Sequence, residues 1–358
     1  MNILLILKKL TVIFEMFLKL VLNFILIKRG MMKLTNIYGN TPCMLGAKNL
    51  SKTKDYSEVD AIIYGIPWEG AVTWGDYTGC ELGPKVMRLC SARYSGYLPE
   101  LDHIDVFEHV RLGDVGDIDI VPADVDETMN RITNFAADLW DSGKFLIGLG
   151  GDHGVTYPIV RGLAQKGKKV GIVHLDTHYD NMPSHKGDEY ARCSPFARLY
   201  EEENVRNESI IHTGIHGPRN WPESGKYARE AGAVTITVND IREHKNIRQL
   251  AADIYKQASQ DVDCVYVSIC SDVLDCAFNP GGPVDGNGLT SYELLTLVYE
   301  LTKLGVVGMD FVEVYPQQDP TQLSAHFAST LLLYALAGDV VYKQSKAMTQ
   351  ANEATTIA

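Results

Sequence analysis

The stretch Val170-Gly171-Ile172-Val173-His174-Leu175-Asp176-Thr177-His178-Tyr179-Asp180 decides how the chain is read. It opens as a nearly unbroken apolar run, the pattern of a strand buried on both faces. It ends in acids and an imidazole. On extended chain, side chains two apart point the same way, so Asp176, His178 and Asp180 converge on one side. Two carboxylates and an imidazole so placed suit a hard-to-borderline metal ion. The position is apt, because ligands of parallel sheets gather beyond the carboxyl ends of the strands. The same residues also read as a charged loop after a strand, with His178 hydrogen-bonded locally.

Working outward, short β-rich runs occur at 61–64, 110–113, 144–148, 170–176, 209–214, 234–237, 264–271 and 306–312, eight in all. Helical periods fall between them at 125–141, 158–165, 242–258, 292–304 and 323–335, with Ser291 read as the cap of the fourth. Strands alternating with helices imply βαβ units and a mostly parallel sheet. One domain is read over 32–345, with a polar tail at 346–358 expected to fray. Residues 1–31 are read as a non-native or disordered extension ahead of that domain, with Met31 or Met32 as the start and an amphipathic surface anchor as the alternative. The lysines and Glu15 break the apolar residues there into runs too short for a membrane-spanning helix.

Composition narrows the function classes. Of 358 residues, 46% are hydrophobic and 22% charged, which excludes a disordered or collagen-like chain. The formal net charge of -12 argues against a nucleic-acid partner. Seven cysteines, an odd number, argue against a fully paired extracellular framework and point to a reducing, cytoplasmic setting.

Three further segments carry chemistry. Gly148-Leu149-Gly150-Gly151-Asp152-His153-Gly154 follows a strand and precedes a helix. It lacks the glycine spacing of a dinucleotide fingerprint and the ending of a P-loop. His153 is there either a rigidly held ligand or a surface residue on a turn. In Ser268-Ile269-Cys270-Ser271-Asp272-Val273-Leu274-Asp275, parity places Ser268, Cys270 and Asp272 on one face. Cys270 is either a soft metal ligand or a small buried hydrophobe. The six-residue spacing of Cys264, Cys270 and Cys276 fits no iron–sulfur pattern. Last, Glu313 emerges from a strand just ahead of Pro316, either to pair with a guanidinium or to cap a loop.

Taken in order, Gly150 to His153, the Asp-x-His-x-Asp of Asp176, His178 and Asp180, the segment from Ser268 to Cys276, and Glu313 resemble the ureohydrolase family of arginases and agmatinases. The flanks Gly65-Ile66-Pro67-Trp68 and 79–88 look agmatinase-like. The resemblance implies a three-layer α/β/α domain around an eight-stranded, mostly parallel sheet. It implies two divalent metal ions, manganese by family habit, and hydrolysis of the C–N bond of a small cationic guanidino compound with release of urea. By position, His153, Asp176, Asp180 and Cys270 would hold one metal, and Asp176, His178, Cys270 and Asp272 the other. Asp272 would carry a proton, Glu313 would orient the guanidinium, and Asp275 would support from behind. A trimer or hexamer is implied likewise. The substrate tail would meet the loops at 68–77, 182–190 and 216–221, where Trp68, Trp74 and Tyr77 either line a pocket or pack.

Two departures from the pattern matter. Cys270 stands where the family has a bridging Asp, and thiolate prefers Zn, Ni or Fe to Mn. Arg192 stands where the family has a proton-relaying His; it is read as binding a substrate carboxylate or repelling a second cationic amine. The alternative function is therefore a metal-binding or metal-free relative without turnover, acting structurally or in regulation.

Overall fold

The computed structural model describes residues 41–71, 77–283 and 285–357, with side chains as far as 352. The readings for 1–31 and for Trp74 lie outside the described residues. From Pro42 onward the chain forms one unit.

The strands are β1 (Lys48–Asn49), β2 (Ala61–Gly65), β3 (Tyr97–Leu98), β4 (Ile104–Asp105), β5 (Leu112–Asp117), β6 (Phe145–Leu149), β7 (Val170–Leu175), β8 (Val205–Ile215), β9 (Val234–Thr237), β10 (Cys264–Cys270) and β11 (Gly308–Val312). Nine of them form one sheet in the order β1-β5-β2-β6-β11-β10-β7-β8-β9. Every pairing in that sheet is parallel. β3 and β4 make a separate antiparallel pair. The expected count of eight is thus corrected to nine. The additional edge strand, β1, is two exposed polar residues paired with β5, too short to show an apolar pattern.

The helices are α1 (Gly83–Ser91), α2 (Val125–Trp140), α3 (Thr156–Ala164), α4 (Pro195–Leu199), α5 (Pro222–Ala231), α6 (Val238–Glu243), α7 (Ile247–Ala258), α8 (Ser291–Thr302) and α9 (Leu323–Ile357). The single helix expected at 242–258 is two, broken between Glu243 and Ile247, with Asn246 capping the second. Thr290, not Ser291, caps α8; its extended backbone lets its hydroxyl accept from Glu293 N while the Glu293 carboxylate returns the bond. The last helix runs far past 335 to Ile357.

Alternation along the central strands builds two cores. In β10, Val265, Val267 and Ile269 face one core with α1, α7, α8 and α9. Tyr266 and Cys270 face the other, with α2, α3 and α4. This is the helix–sheet–helix layering expected when a parallel sheet is covered on both faces. The segment Leu323–Asn352 of α9 is long and apolar enough to span a membrane, yet 72% of its apolar window is buried within the fold.

One consequence of the strand order positions everything that follows. β6, β11, β10 and β7 are consecutive neighbours, and they are the strands whose carboxyl ends carry the four segments singled out above. The register sets Ser268 beside both His174 and Asp310, and Cys270 beside Val312.

Candidate metal centre

After β6 the chain turns through Gly150-Gly151-Asp152 into a short 3-10 turn, His153–Val155. Gly151 is required there, since a Cβ would stand 1.8 Å from the Trp68 carbonyl oxygen. Asp152 closes the turn by accepting from Gly154 N at 3.0 Å and from Gly70 N at 2.7 Å. His153 is left fully buried, facing the ends of β7 and β10.

The His153 ring is polarised by its neighbours. Ser268 Oγ donates to Asp310 Oδ1 at 2.8 Å, so it accepts from His153 Nε2 at 3.0 Å. That leaves Nδ1 facing the acids, open to a proton or a cation. Nδ1 lies 2.9 Å from Asp176 Oδ2 and 2.9 Å from Asp180 Oδ2. It makes no hydrogen bond of acceptable geometry to either. Nδ1 set between two carboxylates must carry a proton or share a cation with them. Burial works to lower the His153 pKa, but Asp176 and Asp180 outweigh it and hold the ring well above its ordinary value. The site therefore demands positive charge at this point.

A second group adjoins the first. Ligand atoms of Asp176, Cys270 and Asp272 lie within 4.8 Å of one another, all buried, as do those of His153, His174 and Asp176. His178 Nδ1 faces Asp272 Oδ2 at 3.1 Å, and its Nε2 faces Asp285 Oδ2 at 3.2 Å. Thr177 ties the two strand ends together by donating to the Asp272 carbonyl at 2.6 Å. Burial and the Asp176 charge push Asp180 up to about 6 and raise Asp272. Burial pushes the Cys270 thiol well above its ordinary value, and Asp176 adds to it. Asp176 goes the other way: the histidines around it overcome its burial and hold it well below the carboxylate range. The residues thus fit a pair of cations that share Asp176, with Asp180 on one side and Asp272 on the other.

Backbone strain marks the same place. Asp180 has φ +43° and Glu313 φ +63°, both in the left-handed region. Glu313 is fixed by its own N–H on the Gly151 carbonyl at 2.8 Å and by accepting from His153 N at 2.7 Å through Oε1. A cavity of about 50 Å³ opens above, lined among others by His178, Asp180, Arg192, Cys270, Asp272 and Glu313.

Arg192 is buried beside this cavity. It reaches Glu69 Oε1 at 2.9 Å, Glu313 Oε2 at 3.4 Å and Asp152 Oδ2 at 3.9 Å, and it bonds the Tyr315 hydroxyl. Its guanidinium is therefore already matched by carboxylates, rather than held open for a substrate carboxylate. Asp275 stands apart from the cluster. Its carboxylate accepts from Ala277 N at 2.9 Å and Asn287 N at 2.7 Å, bracing the loop that carries Asp285.

Sequence reasoning missed several participants. His174 lies within the opening stretch and by parity shares a face with Asp176, to which its Nε2 comes within 3.0 Å. Burial draws its pKa down to about 4. Its Nδ1 meets His212 Nδ1 at 2.8 Å, and His212 Nε2 meets the Tyr200 hydroxyl at 2.6 Å. Asp285 and Glu69 come from irregular loops, where no periodicity betrays a side chain's direction.

The comparisons with known proteins agree with this geometry. Residues 59–338 match the profile of the arginase family. The chain belongs to the arginase family. This arginase-family chain is 32% identical over 279 residues to a guanidinopropionase of Pseudomonas aeruginosa, covering 76% of this chain and 85% of that one. It is 30% identical over 294 residues to an agmatinase of Bacillus subtilis, covering 81% and 96%. Among solved structures, proclavaminate amidinohydrolase from Streptomyces clavuligerus superposes with a TM-score of 0.76 at 27% identity, covering 85% of this chain and 99% of that one. Formimidoylglutamase from Bacillus subtilis gives 0.74 at 26%, covering 80% and 89%. Cys270 stands in this chain at a metal-ligand position where the family pattern has Asp.

Proposed function

We propose that this protein hydrolyses a C–N bond of a small guanidino compound, releasing urea and an amine, with two divalent cations in the cluster described. His153, Asp176, Asp180 and Cys270 would hold one cation, and Asp176, His178, Cys270 and Asp272 the other. The observation that carries the reading is the convergence of His153 Nδ1 with Asp176 and Asp180, each 2.9 Å away, beside the clustered ligand atoms of Asp176, Cys270 and Asp272. When bound, such cations lower the pKa of water and polarise the group under attack. Manganese is expected from family resemblance, with zinc, nickel or iron favoured by a thiolate at Cys270.

The chain's own residues do the rest. Asp272, whose Oδ2 lies 3.1 Å from His178 Nδ1, is the proposed carrier of a proton to the departing amine. Asp285 fixes the His178 ring from its far nitrogen, the usual device for orienting a ligating imidazole. Glu313 presents a rigid carboxylate at the cavity wall for the N–H groups of a substrate that displaces Arg192 from it. Asp275 positions the 275–289 loop rather than touching the reacting group. The acidic cavity suits a cationic guanidino head group, and agmatine is the first substrate to test. A cytoplasmic homo-oligomer, trimer or hexamer, completes the proposal.

A second reading is favoured by two observations: Cys270 offers one sulfur where two cations need bridging, and Arg192 engages Glu313. It is a metal-binding relative without turnover. The experiment is urea release across a panel of agmatine, guanidinobutyrate, guanidinopropionate and arginine, with Mn, Ni, Zn or Co supplied in turn. Urea from one of them supports the hydrolase. Metal bound with no urea from any of them moves the balance to the second reading.

A further inference from the structure

The Arg192 side chain is surrounded in a way its neighbours do not require of an ordinary ion pair. Glu69 comes from the loop after β2, Asp152 from the turn after β6, and Glu313 from the end of β11. All three turn carboxylate oxygens toward one guanidinium, and the Tyr315 hydroxyl meets it end-on. Three acids and a hydroxyl converging on one planar cation make a recognition site for that group. The acids also exceed what one cation neutralises. Glu81, beside Glu69, is pushed up to about 7 by burial and by that neighbour.

The cage has an outlet. Arg192 and Glu313 both line the cavity that holds Asp180, Cys270 and Asp272. Both Glu313 oxygens are committed, Oε1 to His153 N and Oε2 to Tyr315 and Arg192. A cation arriving from the cavity therefore gains the Glu313 carboxylate only by displacing the Arg192 side chain.

We propose that Glu69, Asp152 and Glu313 form a guanidinium-binding subsite that Arg192 fills with its own side chain, so that a free guanidinium must displace Arg192 to enter it and binds far more readily once Arg192 is shortened. Arg192 is then a specificity-determining residue. For a guanidino substrate the consequence is a weakened apparent affinity, and that consequence alone rests on the hydrolase reading.

Binding, which needs no turnover, tests it. Thermal melts of the wild-type protein, Arg192→Gly and Arg192→Lys are compared in about 20 mM guanidinium chloride, the same concentration of urea, and sodium chloride of equal ionic strength. Guanidinium is a denaturant, so without a site it lowers the midpoint slightly. R192G is expected to rise by about 2 °C in guanidinium and not in urea, which has the shape without the charge. Wild type and R192K, whose cages remain filled, are expected not to rise. Adding Glu313→Gln to R192G is expected to abolish the rise. An R192G protein that folds only when guanidinium is present supports the proposal more strongly. Equal shifts in wild type and R192G, no rise in R192G, or an R192G chain that fails to fold even with guanidinium would overturn it. Absence of urea production leaves this result untouched, so the two readings fail separately.

Discussion

His178 turns its Nε2 to Asp285, 3.2 Å away, and so aims its Nδ1 at the acid cluster. Asp285 is itself held by Arg219 Nε at 2.9 Å. A carboxylate behind a ligating imidazole fixes the tautomer and raises its basicity. Replacing Asp285 with Asn keeps the shape and removes the charge. D285N is expected to lose about 10- to 100-fold in affinity for a divalent cation, with little change in fold. Competition against a metallochromic chelator reads the affinity, and an unchanged value would remove Asp285 from the centre.

Cys270 is a buried thiol whose proton is held firmly by its surroundings, so cation binding there must expel a proton. Cys270→Asp supplies two oxygens in place of one sulfur. The variant is expected to bind Mn²⁺ at least about 10-fold more tightly than wild type and to show a weaker preference for Zn²⁺ over Mn²⁺. Titration with each metal measures both, and a loss of Mn²⁺ affinity would contradict the assignment.

Arg88 is a structural counterpart to Arg192. It lies buried on α1, with Nε 2.8 Å from Asp114 Oδ2 and Nη2 3.0 Å from Oδ1, and it also pairs with Asp117. Arg88→Met leaves the buried Asp114 carboxylate uncompensated, and a loss of about 3–5 kcal/mol is expected. Adding Asp114→Asn is expected to recover part of that loss. Urea denaturation of both variants gives the comparison, and an R88M protein as stable as wild type would refute it.

Arg111 grips Asp60 through Nε at 2.9 Å and Nη2 at 2.8 Å, joining the starts of β2 and β5. The bonds to Arg111 hold Asp60 down to about 2, below its ordinary 3.8. A depressed carboxyl stabilises the folded state fully above its unfolded pKa and loses that stabilisation as pH falls through the folded one. The pair is largely exposed, so about 0.5–1 kcal/mol is expected after solvent screening. Asp60→Asn should be weaker than wild type by that amount at neutral pH, with the gap closing toward about pH 2. Urea midpoints at several pH values test the trend; a gap that widens in acid would contradict it.

The sequence made the centre of the molecule legible and its periphery less so. Both-face burial gives β6, β7, β10 and β11 continuous apolar runs, and parity along them predicts which of Asp176, His178, Cys270 and Asp272 point together. β1 escaped because two exposed residues carry no periodicity. The polar first half of β8, Val205 to Glu208, hid behind the apolar half at 209–214. Asp285 and Glu69 lie on loops, where the direction of a side chain depends on tertiary contacts. The role of Arg192 was unreadable for a related reason: its partners Glu69 and Glu313 are 123 and 121 residues away in the chain.

Divalent cations are expected among the buried acids and imidazoles at the ends of β6, β7 and β10. Elemental analysis of the purified protein, incubated with Mn²⁺ or Zn²⁺ and then desalted, tests this most directly. About two equivalents per chain are expected for wild type. Asp176→Asn, which removes the charge both cations share, is expected to retain well under one, while circular dichroism shows the fold intact. Wild-type protein that keeps no divalent metal after desalting, or a D176N variant that keeps as much as wild type, would contradict the account.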